Sequence, residues 1–158
     1  MTCTYDAILS DDYRGILDVA VVGPAFGVDG RADYGFFFDE EPEGKRVVWQ
    51  EDGYLIADAD YDSPTLILFH GGRPCGFYFD MMAWLDPDHR GRGLATRMVL
   101  SYASHFGADA FAEQRRKAGC GLGFSQEGYD LHIRVLEIAE EKRSVNTYPA
   151  LSRRGVLK

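Results

Sequence analysis

The sequence predicts a mixed α/β domain of the α+β type, with a run of β-strands between helical segments. The chain has 158 residues, enough for one hydrophobic core but not for two, so residues 1–158 are expected to form a single domain. Residues 46–86 hold short apolar runs separated by turn signals, whereas residues 94–106 repeat apolar side chains at helical spacing. Hydrophobic residues make up 46% of the chain and aromatic residues 13%, which excludes a disordered protein.

The N-terminal part of the chain predicts one short strand, one helix and an aromatic loop. Thr4–Leu9 is the candidate strand. Ser10 is a candidate N-cap, because two aspartates follow it in the first turn, and Gly23-Pro24 stops the helix. Residues 26–44 are loop-like but contain five aromatic side chains. We expect these rings either to pack in the core or to form a wall or lid beside a substrate.

Four strand candidates follow this loop. Arg46–Gln50 and Gly53–Ala57 lie on either side of an Asp52-Gly53 turn. Thr65–Phe69 is a continuous apolar run, and a Gly-Gly-Arg-Pro turn follows it. Gly76–Leu85 is the longest strand candidate.

The C-terminal part predicts helices and leaves two assignments open. Gly93–His105 is predicted to be a helix, and Gly107 ends it. Ala108–Lys117 fits either a short strand or a helix. Residues 129–143 present one apolar face at helical spacing, although residues 131–135 also alternate like a strand.

The net charge of −8 bears on the partners of the protein. Binding to a nucleic-acid backbone or to an anionic membrane surface needs clustered Lys and Arg, so we expect neither partner. The first 89 residues hold 18 of the 25 acidic residues but only 5 of the 17 basic ones. This asymmetry predicts a cation-attracting side and an anion-attracting side, or a solvated acidic surface beside a basic tail.

The composition also indicates a compartment. No apolar run approaches the ~18–20 residues that cross a bilayer, and no signal peptide is visible at the N-terminus. The three cysteines, Cys3, Cys75 and Cys120, are odd in number and far apart, which favours a reduced cytoplasmic protein over a disulfide framework. The four histidines show no metal-binding spacing, so we expect no metal.

The most informative segment is a glycine loop, residues 90–93, between the end of a strand candidate and the start of a helix. The closely spaced Gly91 and Gly93 let the backbone turn tightly and expose N–H groups without side chains in the way. These N–H groups and the helix N-terminus form a site for an anion, and Arg90 and Arg92 add positive charge. We therefore predict that a phosphate or pyrophosphate binds at this loop and the first helical turn.

Two common phosphate-binding motifs do not fit the glycine loop. The Walker motif needs Gly-Lys-Ser/Thr, which the loop lacks. The dinucleotide fingerprint G-x-G-x-x-G fits Gly91 and Gly93, but Thr96 stands at the third glycine. The loop also lies mid-chain after a run of strands, rather than in an early βαβ unit.

The loop and its surroundings resemble the acetyl-CoA motif of the GNAT superfamily of acyl-CoA N-acyltransferases. That motif reads Gln/Arg-x-x-Gly-x-Gly/Ala, and here it is Arg90-Gly91-Arg92-Gly93-Leu94-Ala95. A strand end with an Asp-Pro turn precedes it, and an amphipathic helix follows it. The resemblance covers about residues 65–106 and implies a GNAT-like fold, in which a central, mostly antiparallel twisted sheet is flanked by helices.

The resemblance implies that acetyl-CoA is the acyl donor. In the family, backbone N–H groups of this loop bind the CoA pyrophosphate, and residues at the strand end form hydrogen bonds with pantetheine. The implied cofactor-binding residues in this chain are Leu85, Asp86, Arg90, Gly91, Arg92, Gly93, Leu94, Ala95 and Thr96.

The implied reaction is direct attack of an amine on the thioester, without an acyl-enzyme. An amine with a pKa of about 10.4 is almost fully protonated at neutral pH, so a base must remove a proton. Asp80 is the candidate base, because it interrupts the apolar strand candidate that should line the acetyl group. An outward-facing acid on a half-exposed strand is the alternative interpretation of Asp80. Tyr129 is the candidate acid for the thiolate, and Tyr102 and Tyr148 compete for that role.

We expect the acceptor to be a primary amine, on a small molecule or on a protein, since the acidic half of the chain attracts cations. An acyltransferase acting on a hydroxyl or on a tRNA-linked amine is the first alternative, and the net charge weighs against tRNA. The second alternative is a non-catalytic module of GNAT fold that binds acyl-CoA as a sensor or interaction module. The oligomeric state is left open, with a homodimer as one option.

Overall fold

The structure is a computed structural model that describes residues 5–23, 30–118 and 123–147. In chain order the helices are α1 (Asp11–Val19), α2 (Gly30–Asp33), α3 (Leu94–Phe106), α4 (Ala108–Ala118) and α5 (Gln126–Thr147). The strands are β1 (Val21–Val22), β2 (Arg46–Glu51), β3 (Tyr54–Asp58), β4 (Thr65–His70), β5 (Arg73–Phe79), β6 (Met82–Leu85) and β7 (Gly123–Phe124). Cys3, Cys120 and Tyr148 lie outside the described residues.

An antiparallel sheet in the order β2-β3-β4-β5-β6 forms the centre of the fold. Three of its hairpins close through two-residue turns with positive φ, at Asp52-Gly53, Gly71-Gly72 and Asp80-Met81. Such turns match the right-handed twist of paired strands, so local turn chemistry pairs β2 with β3, β4 with β5 and β5 with β6. A longer connection, residues 59–64, joins β3 to its partner β4. The prediction of a mixed α/β chain with an antiparallel sheet and flanking helices is confirmed at this level.

The predicted long strand Gly76–Leu85 is wrong, because the chain reverses direction in its middle. β5 ends at Phe79, and β6 begins at Met82. Asp80 and Met81 form the turn between them with φ of 50° and 62°, a left-handed conformation that aspartate tolerates and methionine rarely adopts. The apolar residues around Asp80 therefore concealed a turn. Asp80 lies at the tip of a hairpin instead of inside a strand.

The N-terminal strand is a second wrong prediction. Tyr5–Leu9 forms turns, and Thr4 lies outside the described residues. Ser10 is the N-cap of α1 as predicted, since its Oγ accepts a hydrogen bond from the Tyr13 N–H at 3.3 Å. The same hydroxyl donates to the Ala7 carbonyl at 2.7 Å, so local contacts hold this segment in a turn. β1 begins where the predicted helix would have continued.

The Ser10 cap leads to a stability prediction. Replacing Ser10 by Ala should destabilise the fold by about 1 kcal/mol, because the first turn of α1 loses a hydrogen-bond acceptor. Ser10→Asp should retain most of that stability, since a carboxylate also caps a helix N-terminus. Urea unfolding followed by circular dichroism measures both variants. An alanine variant as stable as the wild type would show that the cap contributes nothing.

The two faces of the sheet are covered differently. On one face the helices bury the larger core, which includes Tyr78 and Met98. On the other face residues 34–38 cover the strands, and Phe37 stacks on Phe77 with ring centroids 4.5 Å apart. Phe37 is only 2% exposed, so for this ring the core interpretation of the aromatic segment is confirmed.

The helices after the sheet place the candidate site. α3 is the helix predicted at Gly93–His105, and Gly107 with φ 79° ends it. The two open segments, Ala108–Lys117 and residues 129–143, are both helical. β7 does not join the main sheet but pairs in parallel with β1. Within the described part of the chain, the outer edge of β6 therefore pairs with no strand.

Candidate functional site

The open edge of β6 lines a cleft of about 400 Å³, which we call the main cleft. The hairpin tip and β6 form one wall, the glycine loop and the first turn of α3 form another, and β7 with the start of α5 forms the third. The charged and hydroxyl side chains that line it are Asp80, Arg90, Ser125, Glu127 and Arg134. The main cleft thus connects the candidate base with the candidate anion site along one strand.

The glycine loop has the backbone conformation that its sequence predicts. Gly91 and Gly93 have φ of 80° and 78°, in the left-handed region that glycine adopts without strain. No atom lies within 4 Å of a Cβ built at either position, so conformation and not crowding requires glycine. Gly93 is the N-cap of α3, and no side chain of the described residues caps the N–H groups of the first turn. These donors are left to solvent or to an anion.

Arg90 fastens the glycine loop to the end of β6. Its Nε donates to the Leu85 carbonyl at 2.8 Å, and its guanidinium carbon lies 5.6 Å from the centroid of the Trp84 ring. The remaining guanidinium N–H groups are still donors for a ligand. Arg90 therefore both shapes the loop and brings positive charge to the main cleft.

Asp86 is engaged in an ion pair. Arg31 donates from Nε to Asp86 Oδ1 at 2.8 Å and also bonds the second carboxylate oxygen. The Asp86 N–H donates to the Cys75 carbonyl at 2.8 Å. Burial, together with the Asp86 charge, raises the pKa of the Cys75 thiol to about 12, so this cysteine is not a nucleophile at neutral pH. In this position Asp86 ties α2 to the sheet.

The predicted cofactor residues are divided between two clefts. Leu85, Arg90, Gly91 and Ala95 line the main cleft. Arg92, Gly93 and Leu94 line a second cleft on the other side of the glycine loop. Asp86 and Thr96 line neither of these two. The loop is thus a shared wall with basic side chains directed to both clefts.

Asp80 is held at the hairpin tip by the buried amide of Gln114 on α4. The Gln114 Nε2 donates to Asp80 Oδ1 at 2.6 Å, and Gln114 is only 4% exposed. Burial, with a further contribution from the Asp80 charge, raises the pKa of the Tyr78 and Tyr102 hydroxyls, so both remain protonated. β6 spans about 10 Å from Met82 to Leu85, at roughly 3.3 Å per residue, so Asp80 and Leu85 lie at opposite ends of this strand.

The candidate acids are placed elsewhere. The Tyr129 ring packs edge-on against Phe124 at 6.0 Å between centroids and does not line the main cleft. Tyr102 is buried against Tyr78, with centroids 5.0 Å apart. The structure describes two of the three candidate acids, Tyr102 and Tyr129, and neither of them lines the main cleft.

Two charged residues of the main cleft were not anticipated. Glu127 and Arg134 lie on the same stripe of α5 as Leu131, at intervals of four and three residues. No hydrogen bond or ion pair engages either side chain within the described ranges. Helical spacing would place these three residues on one face of a helix that includes residue 127. The sequence, however, predicts a helix only over residues 129–143.

A buried histidine supports the wall of the main cleft. His132 is fully buried, and its Nδ1 lies 2.7 Å from the Gly128 carbonyl, which can only accept, so Nδ1 carries the proton. The Tyr78 hydroxyl therefore donates to His132 Nε2 at 2.8 Å. The Tyr13 hydroxyl donates to the His132 carbonyl at 2.6 Å. Burial lowers the pKa of His132 to about 4, so the ring is neutral at physiological pH.

The second cleft has a volume of about 490 Å³ and is lined by a group of rings and by arginines. Three rings, those of Tyr54, His70 and His89, lie together in it, and the Tyr54 hydroxyl is 2.8 Å from His89 Nδ1. Arg92 and Arg97 line it from the side of α3. The sequence offered no spacing that would have joined these residues, which come from β3, β4 and α3 and from the segment that connects β6 to α3.

No family model, no curated protein and no solved structure matches the chain. None of the helices that the structure describes is long and apolar enough to cross a bilayer. Among residues 5–23, 30–118 and 123–147, no three His, Cys, Asp or Glu side chains are grouped to hold a metal ion. The function is therefore inferred from the chemistry of the clefts.

Proposed function

We propose that the protein transfers an acetyl or other acyl group from acyl-CoA to a primary amine, on a GNAT-like fold. One observation carries this proposal: the main cleft joins a carboxylate, an unpaired strand edge and a glycine loop at a helix N-terminus. An acyl-CoA offers the complementary groups in the same order, as a thioester, a chain of amides and a pyrophosphate.

The strand edge is suited to the amides of pantetheine. A two-residue hairpin makes Phe79 and Met82 the hydrogen-bonded closing pair, so the next pair, Tyr78 and Ala83, is not bonded across the strands. The N–H and C=O of Ala83 consequently point away from β5, toward the open edge. An extended chain of amides adds to such an edge as a further strand would.

The opposite end of the main cleft suits the pyrophosphate. The uncapped N–H groups at the start of α3 carry the positive end of the helix dipole, and α3 is 13 residues long. The guanidinium groups of Arg90 and Arg92 add charge on either side of the loop. A diphosphate seated there would leave the acyl group directed along β6 toward Asp80.

The chemistry then follows from the positions of Asp80 and the strand edge. The Asp80 carboxylate accepts a proton from the ammonium form of the acceptor, and the free amine attacks the thioester carbon. A C–N bond forms, and the oxyanion accepts a hydrogen bond from an outward-pointing N–H of β6. The C–S bond then breaks, the leaving thiolate takes the second proton from the attacking nitrogen, and Asp80 releases the first proton to solvent. The carboxylates of Asp80 and Glu127 also favour a cationic acceptor, a small-molecule or protein amine. Because such a reaction needs a supply of acyl-CoA, we propose that the protein acts in the cytoplasm.

A non-catalytic acyl-CoA sensor is the second candidate. It is favoured by the absence of Tyr102 and Tyr129 from the main cleft, which leaves the thiolate without the predicted acid. It is also favoured by the Gln114 amide, which already occupies one Asp80 oxygen. Thiol release from acetyl-CoA in the presence of a panel of amines separates the two candidates, because a sensor binds the cofactor without turnover.

The strand edge provides the direct test of binding. Ala83→Pro removes the outward N–H but no ladder hydrogen bond, so we expect acetyl-CoA affinity to fall about tenfold or more while the fold persists. Ala83→Ser, which keeps the N–H, should bind like the wild type. Isothermal titration calorimetry measures both, with circular dichroism as the check on folding.

Two outcomes would contradict these expectations. If the wild-type protein shows no saturable binding of acetyl-CoA at about 1 mM, the whole acyl-CoA proposal is contradicted. Equal affinities of the proline and serine variants would show that pantetheine does not follow β6.

A further inference from the structure

The second cleft has one acidic and one basic wall. The turn between β2 and β3 brings Glu51 and Asp52 to one side. The glycine loop and α3 bring Arg92 and Arg97 to the other side. In the described ranges neither arginine forms an ion pair, so both charges are available to a ligand.

Flat rings lie between these walls. The His70 ring packs on Tyr54 at 4.4 Å between centroids and on His89 at 5.1 Å. The hydrogen bond between the Tyr54 hydroxyl and His89 Nδ1 holds two of the three rings in place. Tyr54 is buried but His70 is exposed, so the outer face of His70 is open to solvent. The Arg97 guanidinium lies 5.4 Å from the centroid of Trp49, which keeps it at the cleft wall.

We propose that the second cleft binds a nucleotide. Its phosphate would lie between Arg92 and Arg97, where charge-assisted hydrogen bonds are strong. Its base would stack on the exposed face of His70, as flat bases do on aromatic side chains. The carboxylates of Glu51 and Asp52 accept hydrogen bonds from ribose hydroxyl or base amino groups. An inorganic anion would leave the rings and acids unused, and an apolar ring compound would leave the arginines unused.

This nucleotide has two chemical sources. It is either free in solution, or it is the adenosine 3′,5′-bisphosphate half of an acyl-CoA whose pyrophosphate lies on the shared glycine loop. The second source rests on the proposed acyl-CoA function, whereas the first does not. The site itself therefore stands or falls independently of acyl transfer.

The test titrates AMP, adenosine 3′,5′-bisphosphate and acetyl-CoA into the 158-residue chain by calorimetry. We expect saturable binding of at least one of the two nucleotides, about tenfold weaker in Arg97→Gln and in His70→Ala. Arg116→Gln, which removes an arginine on α4 that pairs with Glu113, should bind like the wild type. Proton NMR of the imidazole signals should show shifts for His70 and His89 but not for the buried His132.

Each outcome decides a separate point. Flat isotherms for both nucleotides at about 5 mM, or equal affinity in the wild type and both variants, would overturn the site. Competition of the bisphosphate with acetyl-CoA, with both ligands weakened by Arg97→Gln, would identify the CoA source. Unchanged AMP affinity in saturating acetyl-CoA would identify a free nucleotide. Nucleotide binding without any acetyl-CoA binding would support this site while removing the proposed function.

Discussion

Replacing Asp80 by Asn is expected to lower the rate of the proposed acyl transfer by about 10²- to 10⁴-fold while leaving acetyl-CoA affinity unchanged. The amide cannot accept the amine proton. It preserves the rest of the site, because asparagine also tolerates the φ of 50° at the hairpin tip. The Asn Oδ1 can still accept the hydrogen bond that Gln114 donates. Single-turnover measurement of thiol release, beside calorimetry of acetyl-CoA, separates the chemical step from binding.

Asp60 offers a matched control for this variant. It is also an aspartate with positive φ, 62°, but it is exposed and lines neither of the two clefts. Asp60→Asn should therefore leave both rate and affinity unchanged. An Asp80→Asn protein with the full wild-type rate would remove Asp80 from the mechanism. A wild type that binds acetyl-CoA but turns over none of the amines would favour the sensor.

Acidification from pH 7 to pH 4 is expected to cost the fold about 3 kcal/mol through His132 alone. Burial lowers the pKa of this histidine from the ordinary 6.5 to about 4. Between these values the unfolded chain binds the proton and the folded chain does not. The contribution of neutral His132 is therefore complete above pH 6.5 and is lost progressively as the pH falls toward 4.

Urea unfolding at a series of pH values measures this contribution. His132→Gln should be less stable than the wild type at pH 7, because the contacts with Tyr78 and Gly128 are altered, but its stability should depend less on pH. Ser10→Ala lowers the stability without removing a titratable group, so it should keep the wild-type slope. If the stabilities of the wild type and His132→Gln fall in parallel between pH 6.5 and 4, the inference that His132 is buried in its neutral form is wrong.

The expectations for Asp80 and for His132 depend on structural features that the sequence predicts only in part. Asp80 was recognised as an acid among apolar residues, yet its position at a hairpin tip was not, because Met81 does not carry a turn signal. Nothing in the sequence distinguishes His132 from the other three histidines. Its low pKa requires Tyr78, which is 54 residues away, and the helices that bury both side chains.

Features whose physics is local follow from the sequence alone. The Ser10 cap, the positive φ of Gly91 and Gly93, and the end of α3 at Gly107 are properties of a few adjacent residues. The same holds for the two-residue turns with glycine, which pair β2 with β3 and β4 with β5. Helical spacing placed α3 within one residue at each end.

Which of these features contact one another depends on how the elements pack. The open edge of β6, the ion pair of Arg31 with Asp86 and the position of Tyr129 away from the cleft join segments distant in sequence. Such contacts depend on how whole elements bury their apolar faces, and no periodicity or cap encodes them. The sequence thus predicts the glycine loop and the helix that follows it, and packing places the loop between two clefts.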